Sequence, residues 1–297
     1  MDAAQGKGKL VPYRQDWINI ALSLAAPAVF FYPFYHGLSS RAELAVYVVL
    51  LMAWIVDLNY LLHIHVHRPF TTSQTFNRLI DAALGSVTGM TSANWRIQHV
   101  FGHHRGQDEP YTLRSLDWTL ERYSVRAALS YAFGNIWITY WRPLRESYKK
   151  GVLGNETKPI NFRAAFVEQV LFIAFYAALL VYRPLETLLF LTPWYIVIFA
   201  MTRYVDYLNH YGCTDEGFNF ANNSLSRSFN WRINNFGYHT AHHIDPRAHW
   251  TTLPSLHARI ADRIPAERLK TFNWSSALLP YHAWREHQAQ LQAGRRP

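Results

Sequence analysis

Residues 44–67 read LAVYVVLLMAWIVDLNYLLHIHVH, an apolar run that ends in three histidines. Over 44–62 only Asp57 and Asn59 interrupt its hydrophobic character. A run of this length is near the ~20 residues a helix needs to cross a bilayer. The spacing of His63 and His67 places two imidazoles on one helix face, where both can reach a single ion. His65 lies two positions from each, on the far side, and is left out of the ligand set. The fold therefore turns on whether the rest of the chain repeats this pairing of apolar span and histidine cluster.

Three further apolar blocks appear at 18–34, 164–181 and 185–205. The first carries no charge, the second contains Glu168 and Gln169 near its start, and the third carries Glu186 and Arg203 only near its ends. Half of the 297 residues are hydrophobic and 16% are aromatic, yet the mean hydropathy is only −0.11. The apolar residues are concentrated in blocks, so the average understates them. The blocks predict an all-α, integral-membrane protein with two transmembrane helical hairpins (about four spans: 18–34, 44–62, 164–181 and 185–205). A helical cap over 63–163 and 206–297 then holds a di-metal site, and 1–297 forms a single membrane-embedded domain.

Charge placement orients this arrangement. The connections 35–43 and 182–184 hold one basic residue each, Arg41 and Arg183, and the other Lys and Arg lie elsewhere. By the positive-inside rule the two short connections face outward, while both termini and every histidine cluster face the cytoplasm. In a bacterium the membrane would be the inner one. A formal net charge of +9 suits a cap resting on anionic headgroups and meeting an acidic partner. The basic residues are scattered and carry no recognition motif, which argues against nucleic-acid binding. The polar tail before Trp17 does not lead to a cleavable signal peptide. The single cysteine, Cys213, excludes an internal disulfide, a Cys-rich zinc site and a protein-held iron–sulfur cluster. Any electrons the protein uses must come from elsewhere.

Two more histidine clusters follow the first: His99-Val-Phe-Gly-His103-His104 and His239-Thr-Ala-His242-His243. Read as helices, His99 shares a face with His103 and His239 with His242. The adjacent His104 and His243 point about 100° away, toward a second ion. A single pair of histidines four apart is a common accident of helix surfaces; three clusters in order within an apolar chain are not. A further histidine stands in Asn209-His210-Tyr211-Gly212. Between the hairpins, 79–90 and 127–141 read as helices lying at the membrane interface, with 147–161 a polar return loop. Pro246 marks the end of the helix that carries the third cluster.

HxxxH, HxxxHH and HxxHH, with hydrophobic hairpins around the second box, resemble the integral-membrane fatty acid desaturase/hydroxylase superfamily. Acyl desaturases, alkane monooxygenases and alkene-forming fatty acid decarboxylases belong to it. The resemblance runs from about Leu61 to His257. Asn209-His210-Tyr211-Gly212 is similar to the Glu-His-Tyr-Gly element of the alkane monooxygenases, with Asn replacing Glu. HTAHHIDPRAHWTTLPSLH, residues 239–257, looks more like the end of bacterial desaturases.

The resemblance implies a membrane non-haem di-iron oxidoreductase. Two irons would be held by the box histidines plus one more ligand, which maps onto His210. The implied set is His63, His67, His99, His103, His104, His210, His239, His242 and His243. Imidazole also suits zinc and copper, so ligand type alone does not name the metal. An all-histidine shell calls for carboxylates behind it that orient the rings; Asp206, four before His210, and Asp245 are the candidates.

The implied reaction is O2-dependent oxidation of a long fatty acyl or alkyl chain, with desaturation first. Hydroxylation and oxidative decarboxylation to a terminal alkene are the alternatives. Electrons would come from a ferredoxin, rubredoxin or cytochrome b5-like donor with its reductase. Trp54, Tyr60, Trp194 and Tyr204 are candidates for lining a channel between spans, against the plainer roles of packing and anchoring. A non-redox membrane zinc protein is the remote alternative, and it lacks the H-E-x-x-H arrangement of a zinc hydrolase.

Overall fold

The computed structural model describes residues 8–105 and 114–293, and these are mostly helical. Contacts group the chain into two compact units, Met1–Pro110 with Thr139–Phe199, and Tyr111–Ile138 with Ala200–Pro297. Where one domain over 1–297 is expected, neither unit is a contiguous piece of sequence, because each is assembled from two separate segments.

In the first unit, α1 (Asp16–Phe30) packs on α3 (Arg41–His67) and α4 (Gln74–Thr88), and α5 (Ser92–Trp95) joins α3 and α4 to α8 (Phe162–Tyr182). The block 18–34 does not form one continuous helix. It bends at Phe31, where α1 gives way to α2 (Tyr32–Tyr35). The 15 residues of α1 cover only about 22 Å, short of the ~30 Å hydrocarbon layer. Among the described residues three helices are long and apolar enough to cross a membrane: α3, α8, and α9, which runs from Pro184 to His210.

Local chemistry sets where these helices begin and end. The Ser40 hydroxyl accepts the Glu43 N–H at 3.1 Å and starts α3. Asn161 accepts the Ala164 N–H at 3.0 Å and starts α8. The α4 segment is amphipathic, with Ile80, Leu84 and Val87 fully buried along one stripe and Leu79 exposed. It stops at Gly89, whose φ of +71° favours glycine and whose missing Cβ would lie 2.6 Å from the Tyr195 ring. On α8, Val167, Val170, Leu171, Ile173 and Phe175 are exposed, an apolar face suited to lipid. The return expected over 147–161 is not all loop: after α7 (Ile136–Ser147) the chain makes a π-helical turn over Tyr148–Leu153.

In the second unit, α6 (Val125–Gly134) presents Ala127, Ala128 and Ala132 to a tyrosine cluster, Tyr204, Tyr207 and Tyr211, at the end of α9. Small residues on one side admit large rings on the other. The ring hydroxyls reach backbone: Tyr123 donates to Pro280 at 2.6 Å and Tyr207 to Arg122 at 3.1 Å. The helix expected over 127–141 breaks at Asn135 between α6 and α7. A two-residue parallel pair, β1 (Asn223–Ser224) with β2 (Leu269–Lys270), precedes α10 (Arg227–Arg232) and follows α12 (Leu253–Ile260) in the chain order of its strands. Between α10 and α12 comes α11 (His239–Ile244), which carries the third histidine cluster and ends just before Asp245 and Pro246. Tyr60, Trp194 and Tyr204 are all buried in side-chain packing.

Candidate metal centre

The last turn of α3 carries box one. His63 is buried and its ring lies 5.0 Å from that of His67, as the spacing of four requires. Box two does not lie on a regular α-helix. After α5 the chain makes a π-helical turn over Arg96–Val100, then a 3-10 turn over His103–Arg105. A π turn shifts the residue that returns to a given face from i+4 to i+5. His99 therefore pairs with His104, Nε2 to Nε2 at 3.1 Å, and not with His103, whose ring stacks at 5.0 Å. His99 Nε2 also lies 2.8 Å from His63 Nε2. In the first unit the ligating atoms of His63, His67, His99 and His104 all fall within 4.8 Å of one another.

Box three is also divided differently from the sequence expectation. On α11 the pair that converges is His239 and His243, Nε2 to Nε2 at 3.2 Å, four residues apart. His242 turns instead toward the Phe236 ring, at 4.4 Å between centroids. His210, the last residue of α9, completes this second group, its Nε2 lying 3.1 Å from His239 Nε2. His210, His239 and His243 thus gather in the second unit, again within 4.8 Å.

These distances discriminate between a hydrogen-bonded cluster and a metal site. A ring nitrogen offers either one proton or one lone pair in its plane, so it satisfies one neighbour. His99 Nε2 meets two imidazole nitrogens, and so does His239 Nε2. A cation between converging lone pairs resolves both conflicts. Two nitrogens bound at about 2.1 Å sit about 3.0 Å apart at a right angle and about 3.4 Å apart at the tetrahedral angle. The observed separations of 2.8–3.2 Å fit the closer of these geometries.

The electrostatics point the same way. Burial holds the His99 pKa well below its ordinary value, and the imidazoles of His63, His104, His103 and His67 lower it further. The ring is neutral at pH 7, the form that ligates. Among the described residues neither histidine group includes a carboxylate.

The residues behind the ligands are largely not those the sequence suggests. Asp206 takes an ion pair from Arg203 at 3.1 Å and a hydrogen bond from the Tyr131 hydroxyl at 3.4 Å. Its neighbours on the helix and on α6 occupy it, and His210 Nδ1 faces the Phe220 carbonyl instead, at 3.0 Å. That contact places the proton on Nδ1 and the lone pair on Nε2, the atom that faces His239. Asp245 is exposed and accepts the Arg247 N–H at 3.3 Å, closing a turn after α11. The carboxylate that does stand beside a box is Asp81, which spacing does not reveal. It lies 3.5 Å from Nε2 of the wholly buried His65 and 3.4 Å from Arg96, while His65 Nδ1 accepts the Phe70 N–H at 3.3 Å. Trp95 stacks on the His99 ring at 4.7 Å with 13° between planes. Lying four before His99, it was the one supporting residue that helical spacing could have flagged.

No curated protein and no solved structure matches the chain. The sequence profile of the fatty acid desaturase family matches residues 42–275, which contain both spans flanking the second box and all three histidine clusters. Taken with the two imidazole groups, that match means the chain belongs to the fatty acid desaturase family, an oxidoreductase family of lipid metabolism.

Proposed function

We propose that this enzyme carries out the O2-dependent oxidation of a long fatty acyl or alkyl chain at two irons, most simply as a desaturase. The observation that carries the reading is the convergence of three or more imidazole nitrogens in each unit, each group centred on a ring that meets two others. His63, His67, His99 and His104 hold metal in the first unit, and His210, His239 and His243 in the second. His103 and His242 complete the nine ligands that the family resemblance implies. When bound, the irons supply O2 activation and accept electrons from an external donor of the ferredoxin, rubredoxin or cytochrome b5 type.

The chain's own residues do the rest. Trp95 fixes the plane of His99, and the Phe220 carbonyl fixes that of His210. Phe70, His65, Asp81 and Arg96 tie the end of α3 to α4 and the start of box two. His63, His99, His239 and His242 are buried, which keeps bulk water from the reacting centre. The bilayer delivers the substrate chain, and positioning of one carbon against the metals selects the product. The boxes and both termini face the cytoplasm in this reading, and the whole chain acts as one membrane-embedded catalytic domain.

Hydroxylation is the second reading. The element Asn209-His210-Tyr211-Gly212, which supplies a ligand, favours it. Both reactions begin with removal of the same kind of hydrogen, so the ligand set does not separate them. The test is to feed deuterated fatty acids and alkanes to cells making the protein, with and without air. A new double bond supports desaturation, a new alcohol hydroxylation, and a terminal alkene one carbon shorter decarboxylation. A product that forms equally without O2, or equally in the His99→Ala variant, refutes the enzyme reading.

A further inference from the structure

A cavity of about 930 Å³ opens in the first unit between α4 and α8, away from the converging imidazole nitrogens. Its wall changes character along its length. Along α8 it runs from Arg163 through Glu168 to Leu171, Phe172 and Phe175, and Arg78, Asp81 and Arg96 add to its polar lining. The two acids are already engaged. Asp81 pairs with Arg96, and the Glu168 carboxylate accepts the Ala93 N–H at 2.9 Å. The Arg78 and Arg163 side chains have no hydrogen bond or ion pair among the described residues. The polar lining therefore offers two guanidinium groups outside any ion pair and an excess of one basic side chain over the acids, and guanidinium binds phosphate or carboxylate by paired N–H donation.

The placement of these groups selects the occupant. Arg163 is the second residue of α8, a helix long and apolar enough to span. It thus stands at the membrane–water boundary, where lipid phosphates lie. Phe175 is twelve residues further along, about 18 Å deeper at the α-helical rise, a length that matches one acyl chain. The apolar wall is not sealed. Val167 is 49% exposed, Leu171 63% and Phe175 37%, so the groove opens sideways onto hydrocarbon. A closed tunnel would be needed to hold a reacting chain in register; an open one suits a resident membrane lipid.

We infer that this groove binds a membrane phospholipid with an anionic headgroup, its phosphate on Arg78 and Arg163 and one acyl chain along Leu171, Phe172 and Phe175. The site is separate from the reaction proposed above and does not depend on which product forms.

The full-length protein, reconstituted in nanodiscs of equimolar phosphatidylglycerol and phosphatidylcholine and released into the gas phase, tests this by native mass spectrometry. Wild type should retain phosphatidylglycerol in preference to phosphatidylcholine. A basic residue near an anionic headgroup contributes about fivefold, so Arg78→Gln with Arg163→Gln should cut that preference by about thirtyfold. Arg78→Lys with Arg163→Lys should keep most of it. Equal retention of the two lipids by wild type, or an unchanged preference in the double glutamine variant, overturns the inference.

Photo-crosslinking keeps the test open if the glutamine variant does not fold. With Leu171→p-benzoylphenylalanine and both arginines intact, an adduct with phosphatidylglycerol is expected. No lipid adduct, or one only with added free fatty acid, overturns it.

Discussion

Replacing His65 by alanine separates the two jobs that histidines perform at the end of α3. His65 is wholly buried, its Nδ1 accepts the Phe70 N–H at 3.3 Å, and its Nε2 faces Asp81 at 3.5 Å. Removing the ring strips the Phe70 N–H of its acceptor, a loss of about 1 kcal/mol, and leaves a cavity where a wholly buried ring stood, a loss of about 2 kcal/mol. The sum of about 3 kcal/mol lowers the ratio of folded to unfolded protein about a hundredfold. His65 is outside the group formed by His63, His67, His99 and His104, so the folded fraction should keep its metal. The assay is thermal unfolding of the purified, detergent-solubilised protein, followed by metal analysis of the monodisperse fraction. His65→Ala should unfold at a distinctly lower temperature and retain wild-type metal per chain; His63→Ala should lose metal. A His65→Ala protein that unfolds like wild type but lacks metal would refute the assignment of both rings.

Other outcomes follow from the same geometry. Purified protein should contain about two irons per chain and no haem, and stoichiometric zinc in active protein would contradict this. His99→Ala and His239→Ala should each lose more metal than any other single substitution in their unit, because each of those rings meets two others; metal analysis of the alanine series checks it. With the boxes inward, a cysteine at Ser39 should be labelled from outside intact cells and one at Ser275 should not; the reverse pattern would invert the topology. Lys270 is buried beside Arg268, and burial first, then that arginine, lowers its pKa from 10.5 to about 8. The unfolded chain binds more protons between those values, so this group makes wild-type stability rise as pH climbs from about 8 to about 10.5. Lys270→Met should raise the unfolding temperature at pH 7, and that advantage should vanish by pH 10.5.

What the sequence carried was the chemistry and the spans, and what it lost was local geometry. HIHVH at the end of an apolar run leads directly to His63 and His67 on one face, because α3 stays a regular helix to its last residue. HxxxHH misleads because the π turn over Arg96–Val100 moves the partner of His99 from His103 to His104, and no residue type announces such a turn. HxxHH admits two pairings, three apart or four apart, and only the backbone chooses His239 with His243. Asp81 lies sixteen residues beyond His65 on another helix, a contact made by packing α4 on α3 and invisible to any periodicity. Asp206 looked well placed by the rule of four, but Arg203 and Tyr131 compete for the same carboxylate. The first apolar block breaks at Phe31 into two helices, which its uninterrupted hydrophobicity does not reveal.

The length of α3 has a consequence for the substrate. Its 27 residues extend about 40 Å, some 10 Å more than the hydrocarbon layer, and in the membrane reading proposed above box one occupies the excess. A carbon dissolved in the bilayer cannot meet those imidazoles where it lies; it has to be drawn up past the headgroups first. Each methylene lifted into water costs about 0.8 kcal/mol, so exposing eight would cost about 6 kcal/mol. The protein must therefore keep the withdrawn segment dry along its whole path. The position at which a chain is oxidised is then fixed by how many carbons the enzyme can shelter on the way up, and a shorter overhang would move the reaction toward the tail.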